Sequence, residues 1–154
     1  MTAPAPQPPP PPWAWSNLTE DEAQDLDANL EAWIGDWNRH LALEPRHLIT
    51  ACWRRHAALV QELPVQFFAW KHIHRSTGAT APEAADYYGR TLPGFRDRLA
   101  AQHGLLGPDS AKCRAGKHPA SDPTLEDAIR RAATDVAAFG PDNIDVLRST
   151  AFGT

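Results

Sequence analysis

The sequence predicts an all-α protein: an irregular bundle of four to six helices behind a disordered, proline-rich N-terminal tail. Apolar residues recur at spacings of three and four, and no run alternates between apolar and polar residues as a half-buried strand does. Seven of the first twelve residues are proline, which favours an extended conformation without core contacts. We therefore divide the chain into a tail over residues 1–17, a helical domain over residues 18–139 and a C-terminal tail over residues 140–154.

Two tryptophans, Trp13 and Trp15, close the proline-rich tail. One interpretation is that both fold back on the domain. The other is that they belong to a docking peptide that enters an aromatic groove of a partner protein. Trp13 and Trp15 are thus candidate partner-binding residues for a protein whose identity the sequence does not give.

The first helix has a clear beginning and a continuous apolar face. Thr19 followed by Glu22 predicts a capping box, and the acids of the first turn suit the positive end of the helix dipole. The apolar face consists of Leu26, Leu30, Trp33, Trp37 and Leu41. This spacing predicts a core-facing helix that ends before Pro45.

A second helix is predicted from a point after Pro45 to about Leu63. Its shared face consists of Cys52, His56, Leu59, Val60 and Leu63. Pro64 should kink or break the helix, because proline lacks the backbone donor and clashes with the preceding turn. The helical pattern then resumes with Phe67 and Trp70.

Three further helices complete the predicted bundle. Thr80 with Glu83 predicts a second capping box and a short helix, and the next helix turns Phe95 and Leu99 inward until Gly104. Residues 104–122 predict a loop from their turn-forming composition. The last helix is predicted from Asp122 to Phe139.

Four residues could together bind a metal ion. Cys52 and His56 are four residues apart, which places them on adjacent turns of one helix, and Cys113 and His118 follow in the predicted loop. Two thiolates and two imidazoles are a ligand set that prefers tetrahedral zinc. The alternative is a small core thiol at Cys52, a surface imidazole at His56 and a free thiol in the loop. The sequence leaves both interpretations open.

Charge is unevenly distributed along the chain. Residues 20–36 carry seven acids and no base, whereas residues 37–118 carry twelve Lys or Arg against six Asp or Glu. This pattern favours pairing between the first helix and the basic centre at least as much as a polyanion-binding face. The candidate nucleic-acid-binding residues are Arg54, Arg55, Lys71 and Arg75. Because the sequence shows no interleaving of basic and aromatic residues of the kind that binds single strands, this function is not favoured.

Motifs for catalysis and for export are absent from the sequence. There is no phosphate-binding loop, dinucleotide-binding glycine pattern, Gly-x-Ser-x-Gly or His-Glu-x-x-His. An enzyme with a Cys/His centre remains an alternative, and a non-enzymatic role is favoured. No signal-peptide or membrane-spanning pattern occurs, so we expect a cytoplasmic protein without membrane contact.

The segments "CWRRHAALVQELPVQFFAW" and "CRAGKH" resemble a helical domain family of actinobacteria that has no assigned activity. The likeness covers about residues 26–120. It implies a soluble domain of the kind often encoded on plasmids and mobile elements near DNA-transfer genes. It also implies that Cys113 and His118 are the family's closing Cys and His. The resulting hypothesis is a helical adaptor or accessory protein with a structural zinc site, and the alternative is a DNA-associated accessory protein using its basic centre.

Overall fold

The computed structural model describes residues 2–101, 104–107, 112–113 and 129–130. These residues form four α-helices and no strand, which confirms the all-α class for the described part of the chain. The helices are α1 (Glu20–Asp36), α2 (Ala57–Arg75), α3 (Ala81–Asp86) and α4 (Leu92–Ala100). Most of the predicted last helix and the predicted C-terminal tail lie outside the described residues, so the count of four to six helices stays a prediction.

Both predicted capping boxes are present. The Thr19 hydroxyl accepts a hydrogen bond from the backbone N–H of Glu22 at 3.3 Å, and the Glu22 carboxylate accepts one from the N–H of Thr19 at 2.9 Å. Thr80 and Glu83 make the same reciprocal pair at the start of α3. Each box satisfies backbone donors that the first turn of a helix leaves unpaired, so both helix starts were predictable from four residues of sequence.

The core is aromatic and joins α1, α2 and α4. Trp33 on α1 lies between Trp37 and Phe67, at ring-centroid distances of 5.6 Å and 6.1 Å. Trp37 begins a single π-helical turn that follows α1, and its ring meets Phe95 of α4 edge-on at 4.9 Å. Phe95 is fully buried, as predicted, and so is Leu30. Burial of these large rings removes apolar surface from water and so stabilises the domain.

The segment between α1 and α2 is not the helix that the sequence predicted. It contains two short 3₁₀ turns, Pro45–His47 and Trp53–Arg55, and α2 begins only at Ala57. The reason is that side chains of the π-helical turn after α1 occupy its backbone groups. The Trp37 indole donates to the His47 carbonyl at 2.8 Å, and the Asn38 side-chain amide both donates to the Ile49 carbonyl at 3.0 Å and accepts from its N–H at 2.8 Å.

Pro64 lies inside α2, and the predicted break does not occur. A proline cannot donate to the carbonyl four residues earlier, which here is that of Val60. The indole N–H of Trp15 donates to this carbonyl at 2.7 Å, from 45 residues away in the sequence. A buried acceptor that the helix cannot satisfy therefore has another partner, and the helix continues to Arg75.

The same hydrogen bond places Trp15 in the folded domain. Trp15 begins a short 3₁₀ turn, Trp15–Asn17, and its side chain is only 7% exposed. Residues 2–12 are exposed and contain no regular helix. Although the sequence assigned Trp15 to the tail, it is a core residue, whereas Trp13 is 44% exposed and contacts the ring of Phe68 at 6.5 Å.

Candidate metal centre

Three of the four predicted metal ligands lie together. The Nε2 atom of His56 is 3.7 Å from the Sγ atom of Cys52 and 3.1 Å from the Sγ atom of Cys113. All three ligand atoms lie within 4.8 Å of one another. His118, the fourth predicted ligand, lies outside the described residues. The structure thus brings together a pair and a cysteine that are 57 residues apart in the sequence.

The separation of Cys52 and His56 fits a zinc ion, and that of Cys113 and His56 is shorter than zinc requires. In a tetrahedral site with bonds of about 2.3 Å to sulfur and about 2.1 Å to nitrogen, sulfur and nitrogen ligands lie about 3.6 Å apart. The distance from Cys52 to His56 matches this value, and Cys113 would need to move outward by about half an ångström. Two thiolates and an imidazole form a soft ligand set that suits zinc better than magnesium or calcium.

A short turn brings the first two ligands onto one side. Cys52 precedes the 3₁₀ turn Trp53–Arg55, and His56 follows that turn directly before α2. The four-residue spacing was expected to span adjacent turns of one α-helix, and this expectation is wrong. A 3₁₀ turn that enters α2 places the two side chains on a common side instead, because it reverses the chain within the same number of residues.

Side chains of α1 fix this turn in place. The Trp53 indole donates to the Glu31 carboxylate at 2.9 Å. Arg54 binds both oxygens of Asp27 at 2.9 Å and 3.0 Å and lies 2.7 Å from Glu31. Together with the bonds of Trp37 and Asn38, these contacts anchor the segment that carries Cys52 to α1 and to the π-helical turn that follows α1. A ligand pair held this way has little conformational freedom to lose when it binds an ion.

The cluster also has polar contacts of its own. The Cys52 thiol donates to the Thr50 hydroxyl at 3.3 Å, and the Cys113 thiol lies at hydrogen-bonding distance from His56. Both sulfurs are buried, with Cys52 8% and Cys113 5% exposed, and His56 is half-buried. A buried Cys52 agrees with both earlier interpretations, and the convergence of His56 and Cys113 on it is the additional arrangement that a shared site requires.

The other predicted site residues are spread over the molecule. Arg54 is neutralised by α1, as the charge pattern predicted, and its guanidinium also stacks over the Trp53 ring at 4.4 Å. Arg55 is half-buried beside it, whereas Lys71 and Arg75 are exposed in the second half of α2. These four cations therefore do not form one face, and the turn at Arg54 is not an open phosphate-binding surface.

Several residues that shape the site carried only a weak signal in the sequence. Asp27 and Glu31 are four apart on α1, which indicates a shared face but not its partner. Asn38 and Thr50 gave no signal, because a side chain that binds a distant backbone group leaves no periodic pattern.

Within the described residues, no helix is both long and apolar enough to cross a bilayer.

Comparison with protein-family models, with curated proteins and with solved structures finds no match to this chain. The resemblance to the actinobacterial family accordingly stays a prediction, and the geometry of the described residues is the basis for the function proposed below.

Proposed function

We propose that this chain is a non-enzymatic helical adaptor in which a structural zinc ion holds the segment around Cys113 against the start of α2. The observation that carries the proposal is the convergence of Cys52, His56 and Cys113 within 4.8 Å. His118 is proposed as the fourth ligand, which would close the coordination shell as in structural zinc sites. The resemblance to the actinobacterial family supplies the proposed setting, plasmid or mobile-element biology in the cytoplasm.

Burial of the ligands supports a structural role over a catalytic one. Catalytic zinc keeps one coordination position open to water and substrate. Here both thiols are less than a tenth exposed, and the turn that presents Cys52 and His56 is fixed to α1. An enzyme with a Cys/His centre needs access to its nucleophile, which these positions restrict. The alternative of a DNA-associated protein is weakened because Arg54 is not available to bind phosphates. Asp27 and Glu31 offset its charge.

Metal content tests the zinc site directly. Untagged protein, purified without chelator and kept reduced, should carry one zinc per chain in native mass spectrometry. Cys113→Ser should lose the zinc, because a serine hydroxyl is a poor zinc ligand, and His118→Ala should weaken its binding. His40→Ala removes an exposed imidazole outside the cluster and should leave the zinc content unchanged.

Thermal unfolding of the same proteins separates a structural ion from an adventitious one. At free zinc one hundredfold above its dissociation constant, bound zinc adds about 2.7 kcal/mol to the free energy of unfolding. Chelation should therefore lower the melting temperature of the parent protein and of His40→Ala, and should not change that of Cys113→Ser. Metal-free parent protein, or zinc retained by Cys113→Ser, would contradict the proposal.

A further inference from the structure

A row of aromatic rings runs along α2 and is exposed at both ends. Trp13 contacts Phe68, Phe68 contacts Phe67, and the row continues through Trp70 and His74 to Tyr88, at successive centroid distances between 5.3 Å and 6.5 Å. Trp13 and Tyr88 are 44% and 51% exposed and are among the most exposed large apolar residues of the described chain. We call this row, with the cations above it, the aromatic–basic face.

Two cations lie over the middle of the row. The Lys71 ammonium is 5.8 Å from the Phe68 ring centroid, and the Arg75 guanidinium is 5.6 Å from that of Trp70. Neither Lys71 nor Arg75 makes an ion pair within the described part of the chain, in contrast to Arg54. Beside them, a cavity of about 240 Å³ is lined by Phe68, Lys71, His72, Arg75 and Ser76. The two cations at its edge suit a phosphate group.

We propose that the aromatic–basic face binds single-stranded nucleic acid. Proteins that bind single strands combine cations that follow the phosphates with aromatic rings on which the bases stack. The expectation that the sequence lacks such interleaving does not hold for α2, where Lys71 and Arg75 follow Phe68 and Trp70. The exposed rings at the two ends come from the tail and from the turn after α3, which sequence spacing alone does not bring together. Folding brings Trp13 and Tyr88 to the two ends of a row with Lys71 and Arg75 between them.

The exposed rings favour a single strand over other polyanions. In a duplex the bases are stacked on one another, so exposed Trp13 and Tyr88 could contribute little to binding. A poly-glutamate peptide would pair with Lys71 and Arg75 but has no aromatic bases to stack on those rings. His72 is not counted among the phosphate-binding cations, since its Nε2 atom already lies 3.3 Å from the Glu83 carboxylate.

Binding of fluorescein-labelled (dT)15 to the full chain, followed by fluorescence anisotropy between 20 and 200 mM NaCl, tests the proposal. We expect salt-dependent binding that is at least about tenfold tighter than to a duplex of equal length or to poly-glutamate. Replacing Lys71 and Arg75 together by alanine should reduce the slope of log K against log salt by about 1.4, at about 0.7 per phosphate contact. Trp13→Ala and Tyr88→Ala should each weaken binding about fivefold or more.

Matched variants distinguish binding at the aromatic–basic face from a general effect of lost charge or lost apolar surface. Replacing Arg39 and Arg46 by alanine removes the same charge from arginines that already pair with acids, and should leave the slope unchanged. Leu43→Ala removes an exposed apolar side chain elsewhere, and Tyr88→Phe keeps the ring but loses the hydroxyl that bonds His74 at 2.7 Å. Both should retain the parent affinity. No binding at 20 mM NaCl, equal binding of duplex or poly-glutamate, or equal losses in the controls would overturn the proposal.

Discussion

Two distant segments reach the start of α2 by different chemistry. From the N-terminal side, Trp15 docks by burying its ring and donating one hydrogen bond to Val60. From the C-terminal side, Cys113 docks by placing a thiol 3.1 Å from the ring of His56, the residue directly before α2. The first contact depends on apolar burial and on a permanent backbone acceptor. The second uses groups whose bonding changes with metal, acid and oxidant.

With zinc bound as proposed, one segment would be held permanently and the other conditionally. Burial of an indole is insensitive to zinc and to redox state, so the contact of Trp15 should persist whenever the domain is folded. The contact of Cys113 should strengthen when zinc replaces a thiol–imidazole hydrogen bond with two coordinate bonds. If so, metal availability sets the position of the chain around Cys113 without disturbing the aromatic core.

The largest expected loss of stability comes from removing the permanent contact, that of Trp15 with α2. Trp15→Ala should lower the free energy of unfolding by about 3–5 kcal/mol, because it removes a buried ring and leaves the Val60 carbonyl without its donor. Trp13→Ala should cost less than about 1 kcal/mol, since its ring is 44% exposed. Urea denaturation followed by circular dichroism measures both values, in the presence of zinc and again with a chelator.

If the two contacts are independent, Trp15→Ala should lower the free energy of unfolding by the same amount with and without zinc, within about 0.5 kcal/mol. A larger difference would show that His56 and Val60 transmit strain between the two contacts, and the two segments would then form one cooperative unit. A loss in Trp13→Ala as large as that in Trp15→Ala would instead place Trp13 in the core as well.

Local features of this fold were predictable from the sequence, and long-range polar contacts were not. The capping boxes at Thr19 and Thr80 need only residues within one helical turn, and the apolar stripe of α1 needs only periodicity. Pro64 indicates that the Val60 carbonyl has no helical donor, but no sequence feature near Val60 or Pro64 identifies Trp15 as the replacement donor. The repeated order of Cys then His pointed to the cluster of Cys52, His56 and Cys113 as one of two interpretations, although through the wrong local geometry.

An intermediate loss of stability is expected when Trp15 no longer donates to the Val60 carbonyl that Pro64 leaves without a helical donor. Trp15→Phe keeps most of the ring but removes the indole donor, so it should cost about 1–3 kcal/mol by leaving a buried carbonyl unsatisfied. In a Pro64→Ala background the new backbone N–H can bond Val60 as in an ordinary helix, and the cost of Trp15→Phe should fall by about 1 kcal/mol or more. A double-mutant cycle from urea titrations measures this coupling. Additive losses would mean that the Val60 carbonyl does not depend on Trp15.

The smallest effect concerns the ion pairs that hold the turn between Cys52 and His56. Arg54→Ala should cost about 1 kcal/mol in the free energy of unfolding, since its side chain is 23% exposed and binds two carboxylates. The loss should shrink between 50 and 500 mM NaCl because salt screens partly exposed charges. Zinc affinity should weaken a few-fold as the turn loosens, while the effect of Trp15→Ala on the free energy of unfolding stays the same.

Arg39→Ala is the matched control, because its pair with Asp36 is more than half exposed and contributes less than about 0.5 kcal/mol. Unchanged zinc affinity in Arg54→Ala would show that Trp37, Asn38 and the Trp53 indole suffice to hold the ligands, and the conditional contact would then be independent of the ion pairs of Arg54.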